Sequence, residues 1–339
     1  MPRPAPIAAA VVTVGVLLPL LAGSAPSARP PPGSLDVRIA EWDLPAPGSF
    51  PHDPAVGRDG ALWYTAQKAN RIGRLDPASG QITEFRLPTP DSGPHGLTAD
   101  RDGNIWYTGN YAGLVGKLDV KTGHVTEYRM PDPRASDPHT PVFDPDGVLW
   151  FTVQQANMVG RLDPASGKIE LRSVPTPDAT PYGIAINHEG VPFFCEFGTN
   201  KLASIDRRTF QIREYVLPSG ARPRRLAIAQ DDSVYYSDYE RGYLGRLDPK
   251  TGQVREWPSP GGPGSRPYGI AVAQDGMVWY SESGVQPNTV IRFDPGREVF
   301  ARAVIPSGGG VVRNMAAAPG RRVYIACSGV NKVGVVTER

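Results

Sequence analysis

Cysteine is nearly absent from this sequence, since Cys195 and Cys327 are the only two among 339 residues. Two thiols are too few for the disulfide framework that stabilises many small secreted domains. An excess of charge is also lacking: 36 Lys and Arg against 34 Asp and Glu leave a net charge of +2. The basic residues are scattered evenly along the chain, which argues against a nucleic-acid partner.

Long apolar runs are scarce, and the one that stands out lies near the start, at residues 7–22. It follows Arg3 and precedes small residues, a pattern typical of a secretory signal peptide. We therefore predict a signal peptide at 1–28, a Pro-rich spacer at 29–35 and a secreted or periplasmic location. No membrane span is expected after cleavage. The alternative is an uncleaved signal anchor.

The stretch 94–131 reads as four short strands with Gly and Asp turns between them. The predicted strands are Gly96–Ala99, Ile105–Thr108, Leu114–Leu118 and Val125–Met130. Four strands at this spacing are typical of one blade of a β-propeller. A single blade cannot bury both faces of its sheet, so neighbouring blades must pack against it.

Copies of this unit fill the rest of the chain at intervals of 42 to 45 residues. They begin at Pro51, Pro94, Pro138, Pro181, Pro223, Pro267 and Val312. The sequence therefore predicts an all-β protein, a seven-bladed propeller of four-stranded antiparallel blades that forms one domain over 36–339. Cys195 and Cys327 then lie three blades apart, so no disulfide is expected.

The last copy supplies only three strands, whereas an extra strand at 37–44 precedes the first copy. That strand resembles the fourth strand of other blades, such as Ile82–Leu87. We predict that it completes blade seven and closes the ring, which leaves no long exposed sheet edge.

Two positions in each blade are expected to face one rim of the axial channel. The residues that follow the opening residue of each copy are His52, His95, His139, Tyr182, Arg224, Tyr268 and Arg313. The residues that end the second strands are Ala66, Gly109, Val153, Glu196, Asp238, Glu282 and Cys327. Histidines thus belong to blades one to three and acids to blades four to six. Titratable groups that converge on a concave surface are the default candidate for a functional site.

A structural role for these residues is the alternative, because polar residues at repeat positions often hold neighbouring blades together. A packing role would recur in all seven blades, whereas these residue types are segregated. The remaining histidines, His124 and His188, lie in predicted turns and are interpreted as solvated surface residues.

Throughout 37–337 the blades resemble those of the streptogramin B (virginiamycin B) lyases. The shared motifs are Pro-His-Gly at 94–96, Pro-Tyr-Gly at 181–183 and 267–269, Ala-Asn-x-Ile-Gly-Arg at 69–74, Thr-Glu-Phe-Arg-Leu-Pro at 83–88 and Leu-Trp-Phe-Thr at 149–152. The resemblance implies the propeller fold. It also implies a lyase that opens a cyclic depsipeptide by elimination at its ester bond, with a histidine base and a Mg²⁺ held by two glutamates.

The active residues that the resemblance implies do not fall on matching residues here. The histidine that opens blade six in the family corresponds to Tyr268, and Glu-Pro-His at blade seven corresponds to 311–313, which reads Val-Val-Arg. The remaining metal glutamate corresponds to Cys327 or Ser328. The resemblance therefore supports the fold more strongly than the lyase activity.

A similar pair of motifs occurs elsewhere on the ring, where His95 opens blade two and Asp137 precedes His139 at blade three. This pattern makes His95 and His139 candidate catalytic residues and Asp137 a candidate metal ligand. Gln154 occupies the place of the second glutamate, and its neutral amide is a weaker Mg²⁺ ligand than a carboxylate.

Metal-dependent lactonases of the SMP-30 type offer a second comparison by analogy, since they bind a divalent cation at the channel with Glu, Asn and Asp, and Glu196, Asp238, Glu282 and Asn314 would imitate that arrangement. Three hypotheses remain open: a lyase-like enzyme with a metal at the rim, a ligand-binding or sensing propeller, and a scaffold. We expect a monomer that takes a small molecule of unknown identity, with Mg²⁺ or another divalent cation as a possible cofactor.

Overall fold

The computed structural model describes residues 33–339; the predicted signal peptide and residues 29–32 of the spacer lie outside the described residues. Seven separate four-stranded antiparallel sheets succeed one another along the chain, which confirms the predicted seven-bladed propeller. The first strand, β1 (Val37–Asp43), precedes the first complete blade.

The first three blades are built from consecutive strands. Blade one contains β2 (Pro51–Val56), β3 (Leu62–Ala66), β4 (Arg71–Leu75) and β5 (Ile82–Arg86). Blade two contains β6 (Pro94–Ala99), β7 (Ile105–Gly109), β8 (Leu114–Leu118) and β9 (Val125–Arg129). Blade three contains β10 (Pro138–Phe143), β11 (Leu149–Val153), β12 (Met158–Leu162) and β13 (Ile169–Ser173).

The next three blades repeat the same order. Blade four contains β14 (Pro181–Ile186), β15 (Pro192–Glu196), β16 (Lys201–Ile205) and β17 (Ile212–Val216). Blade five contains β18 (Pro223–Ile228), β19 (Val234–Asp238), β20 (Tyr243–Leu247) and β21 (Val254–Pro258). Blade six contains β22 (Pro267–Val272), β23 (Val278–Glu282), β24 (Thr289–Asp294) and β25 (Val299–Val304).

Blade seven joins the two ends of the described chain. Its strands are β26 (Val312–Ala318), β27 (Arg322–Cys327), β28 (Lys332–Glu338) and β1, and a short 3-10 helix (Ser328–Val330) links β27 to β28. Strand β1 pairs antiparallel with β28 along its whole length, from Val37 opposite Glu338 to Asp43 opposite Lys332. The predicted closure of the ring by the N-terminal strand is confirmed.

A glycine in the third strand and an aromatic ring in the second explain one motif of the repeat. A Cβ atom on Gly73 would lie 1.9 Å from the Tyr64 ring, so only glycine leaves room for the ring to lie flat on the sheet. The Tyr64 hydroxyl then donates to Glu84 on the fourth strand at 3.1 Å. The glycine of the Ile-Gly-Arg motif and the glutamate of the Thr-Glu motif are therefore both explained by their contacts with the tyrosine ring of the second strand.

The apolar core lies between adjacent blades. Trp63 of blade one, for example, belongs to a buried cluster with Leu97, Ile105 and Tyr107 of blade two. Each blade therefore depends on its neighbours for the burial of its faces, as expected for a repeat protein. Cys195 and Cys327 are buried free thiols, as predicted.

Hydroxyl groups near the end of the second strand connect five of the seven blades to the next one. Thr65 donates to the carbonyl oxygen of His95 at 2.9 Å, and Thr108 donates to that of His139 at 2.6 Å. Thr152 and Ser237 make the same bond to the next blade. Cys195 occupies this position in blade four.

Within the described part of the chain, no helix has the length and apolar character needed to cross a membrane.

Candidate functional site at the end of the axial channel

A β-bulge at the start of the first strand places two successive residues of each blade at the channel. In blade two, Pro94 lies opposite Gly109, but the register shifts before the next pair, Leu97 and Tyr107. The same shift occurs in all seven blades. Bulges redirect side chains in this way at functional sites. The pairing of Pro94 with Gly109 also agrees with the predicted shared rim.

We call the first of the two positions the rim ring. It consists of His52, His95, His139, Tyr182, Arg224, Tyr268 and Arg313. The rings of its first four members pack in sequence, with centroid distances of 3.6 Å from His52 to His95, 3.9 Å from His95 to His139 and 3.9 Å from His139 to Tyr182. The hydroxyl groups of Tyr182 and Tyr268 are in hydrogen-bond contact. The structure therefore brings together the three histidines and two tyrosines that the sequence pointed to.

Burial sets the protonation state of these histidines. His52, His95 and His139 expose only 3%, 5% and 2% of their surface. Desolvation lowers the pKa of each imidazole well below its ordinary value, and nearby arginines lower it further. All three are therefore neutral at physiological pH, when an imidazole nitrogen can accept a proton.

Two arginines complete the rim ring. The Arg224 guanidinium lies over four aromatic rings, 4.0 Å from the centroid of Tyr268, 4.3 Å from Tyr239, 4.8 Å from Phe197 and 5.0 Å from Tyr182. Its cation–π contacts fix its position beside the tyrosine pair.

Arg313 lies over the ring of Phe50 at 4.9 Å, and Lys68 approaches the same ring at 4.8 Å. Arg224 and Arg313 are both partly exposed. They are therefore the rim-ring side chains that solvent reaches most readily.

The second bulge position forms a layer one residue deeper, which we call the septum. It consists of Asp53, Gly96, Thr140, Gly183, Arg225, Gly269 and Asn314. Arg225 of blade five donates to Asp53 of blade one at 2.8 Å and to Thr140 of blade three at 3.2 Å. Asn314 of blade seven donates to the other oxygen of Asp53 at 3.0 Å. These hydrogen bonds connect blades one, three, five and seven across the channel.

Sequence reasoning missed Asp53, Thr140 and Arg225, although they lie directly beside residues that it selected. The signal was available, because a buried Asp and a buried Arg at one repeat position are unusual unless they pair. The bulge hid it: in a regular strand the side chain after His52 would point away from the channel. Their glycine neighbours in the septum reflect close packing, since a Cβ on Gly96 would lie 2.2 Å from the carbonyl oxygen of His139.

A cavity of about 350 Å³ lies on the far side of the septum from the rim ring. Its wall includes the apolar side chains of Leu97, Ile184 and Ile270, while Arg225 and Asn314 contribute polar groups. The channel is therefore divided by the septum into two compartments.

The three acids that the sequence placed on the rim form hydrogen bonds within their own blade or with the loop that precedes it. Glu196 accepts a bond from Thr199 at 3.0 Å, and Asp238 from Arg241 at 2.6 Å. Glu282 accepts bonds from Ser259, Gly261 and Thr289. These contacts hold the carboxylates at the strand ends to the adjoining loops, and the expectation that acids and histidines act together across the channel mouth stays a prediction.

Two carboxyl groups near the rim have raised pKa values. Burial, with Glu214 as a second cause, raises the pKa of Glu196 to about 8. Burial also raises the pKa of Asp137, whose Oδ2 accepts from the backbone of Gln155 at 2.9 Å. His124 and His188 are exposed, as predicted.

One set of described residues has the spacing of a metal site: His52, Asp53 and His95, whose ligand atoms lie within 4.8 Å of one another. Asp53 is already bonded to Arg225 and Asn314, and His52 Nδ1 lies 2.9 Å from Asp53 Oδ1. A guanidinium in contact with the only carboxylate of the set opposes the approach of a second cation. This donor set does not fit a divalent metal.

The fold and the site define this protein as a seven-bladed propeller with a polar, arginine-rich cluster at one end of its axial channel. The sequence model of the virginiamycin B lyase family matches residues 33–250, and the chain belongs to that family. A search of curated proteins finds no match.

Solved structures of lyases are similar over nearly the whole described chain. A streptogramin B lyase is 27% identical, with a TM-score of 0.82, and the match covers 90% of this chain and 98% of that one. The virginiamycin B lyase from Staphylococcus aureus is 26% identical, with a TM-score of 0.81 and coverage of 90% and 100%. A catalytically inactive histidine-to-alanine variant of the same enzyme, determined with quinupristin, is 25% identical, with a TM-score of 0.81 and coverage of 90% and 100%.

The Mg²⁺ that the family resemblance implies was tested against the residues at the corresponding positions. Arg313 there carries a positive charge, Val311 has no ligand atom, and Cys327 is a buried thiol whose pKa is raised by burial. Mg²⁺ prefers charged oxygen ligands. The donor set at these positions does not fit Mg²⁺.

Proposed function

We propose that this protein is an extracytoplasmic member of its family that binds a small molecule at the rim ring. The N-terminal sequence pattern supports export. The family membership and the similarity to lyases that act at a propeller support a small molecule rather than a macromolecule as the ligand.

The convergence of unlike polar side chains at one end of the channel carries the proposal. A role in holding blades together is already filled by the hydroxyl groups of residues such as Thr65 and Thr108, which bond to backbone carbonyl oxygens of the rim ring. The rim-ring side chains are not needed for that connection. Their residue types also change from blade to blade, as expected of a site that recognises an asymmetric ligand.

Elimination at an ester bond is the second candidate, and the neutral histidines favour it. The Nδ1 atom of His95 is buried and has no hydrogen-bond partner among the described residues. As a base, His95 would remove the proton α to a carbonyl; the C–H electron pair would form the new C=C bond, and the ester oxygen would leave as a carboxylate. His139 is the neighbouring alternative, although its Nδ1 lies 2.9 Å from the Thr140 hydroxyl.

The binding proposal is tested with a panel of cyclic depsipeptides, lactones and small esters, including quinupristin, by thermal shift and calorimetry. At least one class is expected to stabilise the wild type. The His139→Gln variant should weaken that binding, whereas His124→Gln, an exposed control, should leave it unchanged. The proposal is overturned if no class binds, or if every ligand binds both variants as tightly as the wild type.

A further inference from the structure

Positive charge is in excess around the rim ring. The charged groups that chiefly shift its histidine and tyrosine pKa values are the guanidinium groups of Arg224, Arg225 and Arg313 and a single carboxylate, Asp53. Asp53 is 2.8 Å from Arg225 and 3.0 Å from the Asn314 amide. Its charge is therefore already balanced by Arg225, and Arg224 and Arg313 remain without a counter-charge.

The contacts of Arg224 satisfy little of its hydrogen-bonding capacity. Its hydrogen bond in the described chain is a 3.4 Å contact from Nη2 to the Tyr182 hydroxyl, and its Nε is buried without a partner. The surrounding aromatic rings contribute cation–π attraction, and the long contact to Tyr182 is the one hydrogen bond that they supply within the described residues.

Arg313 is in a similar position on the other side of Tyr268. It stacks on Phe50, its Nε is buried without a partner, and no ion pair to it occurs within residues 33–339. Buried donors of a charged group are costly unless they are paired. The Nε–H groups on either side of Tyr268 therefore indicate an acceptor that comes from outside the chain.

We propose that the rim ring binds the oxyanion group of its ligand, a carboxylate or a phosphate, between Arg224 and Arg313. This inference rests on the proposed function and names the chemical class of the ligand. Guanidinium groups recognise both oxyanions through paired N–H donors. Arg224 in blade five and Arg313 in blade seven flank Tyr268 of blade six, whose hydroxyl lies at the tyrosine pair.

The positive charge of the rim ring disfavours cationic ligands. A metal ion or an amine would approach two unpaired guanidinium groups, and the acids Glu196, Asp238 and Glu282 are held by residues of their own blade or of the loop before it. A bound anion would instead offset the effect of the arginines on the histidines. Its binding should therefore raise the pKa of His52 and His139, a change that NMR titration detects.

Calorimetry with inorganic phosphate and with benzoate tests the proposal, with chloride at equal ionic strength as the reference. Arg224→Gln and Arg313→Gln should each weaken binding of the preferred anion about ten-fold or more, since each removes a charged hydrogen-bond donor. Arg313→Lys should retain part of the affinity. Arg208→Gln, which changes an exposed arginine in a turn of blade four, should bind like the wild type.

A tighter interaction with phosphate identifies a phosphate ester as the ligand class, and a tighter interaction with benzoate identifies a carboxylic acid. The proposal is overturned if neither anion binds more tightly than chloride, or if the arginine variants bind as the wild type does. Should Arg224→Gln fail to fold by circular dichroism, Arg313→Gln decides the outcome. The proposed function is judged separately, because neutral compounds that bind in a His139-dependent manner would support it even if both anions failed.

Discussion

Arg225 of blade five and Asp53 of blade one form an ion pair across the axial channel at 2.8 Å, and both side chains are almost fully buried. Breaking a buried pair by removal of one partner leaves an uncompensated charge. We expect Arg225→Met to lower the free energy of unfolding by about 3–5 kcal/mol, as measured by urea denaturation.

The double variant Arg225→Met/Asp53→Asn provides the control for this prediction, because it removes both charges. It should be more stable than Arg225→Met alone. A double variant that loses the sum of the two single effects would show that the two residues contribute independently.

Removal of the closing strand should destabilise the whole ring. A chain that begins at residue 47 lacks β1 and exposes the edge of β28 to solvent, so it should melt at a lower temperature or aggregate. A chain that begins at residue 33 keeps β1 and serves as the control. Equal melting temperatures for the two chains would contradict a stabilising role for the closure.

Glu196 should make the protein less stable as the pH rises. Its pKa is about 8 in the folded protein against an ordinary value of 4.5. The folded state therefore retains a proton that the unfolded chain loses, and the free energy of unfolding falls as the pH increases through this window. Glu196→Gln should remove that decline, and thermal melts from pH 4 to pH 9 measure it. The exposed Glu189→Gln control should behave as the wild type; a parallel decline in Glu196→Gln would refute the assignment.

The rim-ring histidines should make the protein less stable as the pH falls into the acid range. The unfolded chain takes up protons below about pH 6.5, whereas the folded protein keeps its buried imidazoles neutral. Stability should therefore fall as the pH drops below this value, by up to about 1.4 kcal/mol per pH unit for each histidine. His139→Gln should show a shallower acid decline than the wild type or the His124→Gln control. An unchanged decline would place the relevant proton elsewhere.

The wild-type protein should not linearise quinupristin at a measurable rate. Tyr268, Val311 and Arg313 occupy the positions at which the family resemblance implies a base and a metal ligand. Because elimination leaves the mass unchanged, the product is detected by chromatographic separation followed by fragment-ion mass spectrometry. Efficient cleavage would disprove this prediction and would indicate a base elsewhere on the ring, with His95 and His139 the first to test by replacement with glutamine.

The fold was predictable because the sequence pattern of one four-stranded blade recurs seven times along the chain. Each copy contains an aromatic residue on the second strand and a turn glycine, and every copy except blade six, which has Ile291, has glycine or alanine at the position of Gly73 on the third strand. The closing role of β1 was predictable because its sequence resembles those of the fourth strands. Small differences in boundaries, such as the start of β6 at Pro94 rather than Gly96, result from the bulge.

The site was only partly predictable, since registers do not give side-chain directions. The pattern identified His52, His95 and His139 as neighbours because they share one repeat position. It did not reveal that Glu282 bonds to the loop between blades five and six or that Arg225 crosses the channel, because the repeat position does not specify either partner. The contact of Arg225 with Asp53 joins blade five to blade one, so it forms only when these distant segments have come together.

The pairing of β1 with β28 fixes the order in which the molecule can be completed. Val37 and Glu338 lie at opposite ends of the described chain, yet they are paired partners in one sheet. The earliest strand to leave the ribosome must therefore wait for the last one, and the entropy of joining such distant segments is paid in a single late step. Six blades can assemble from neighbouring strands as they are synthesised, but the rim ring and the septum become continuous only with the final strand. The complete rim ring and septum thus require β28, and a chain that stops before this strand cannot build them.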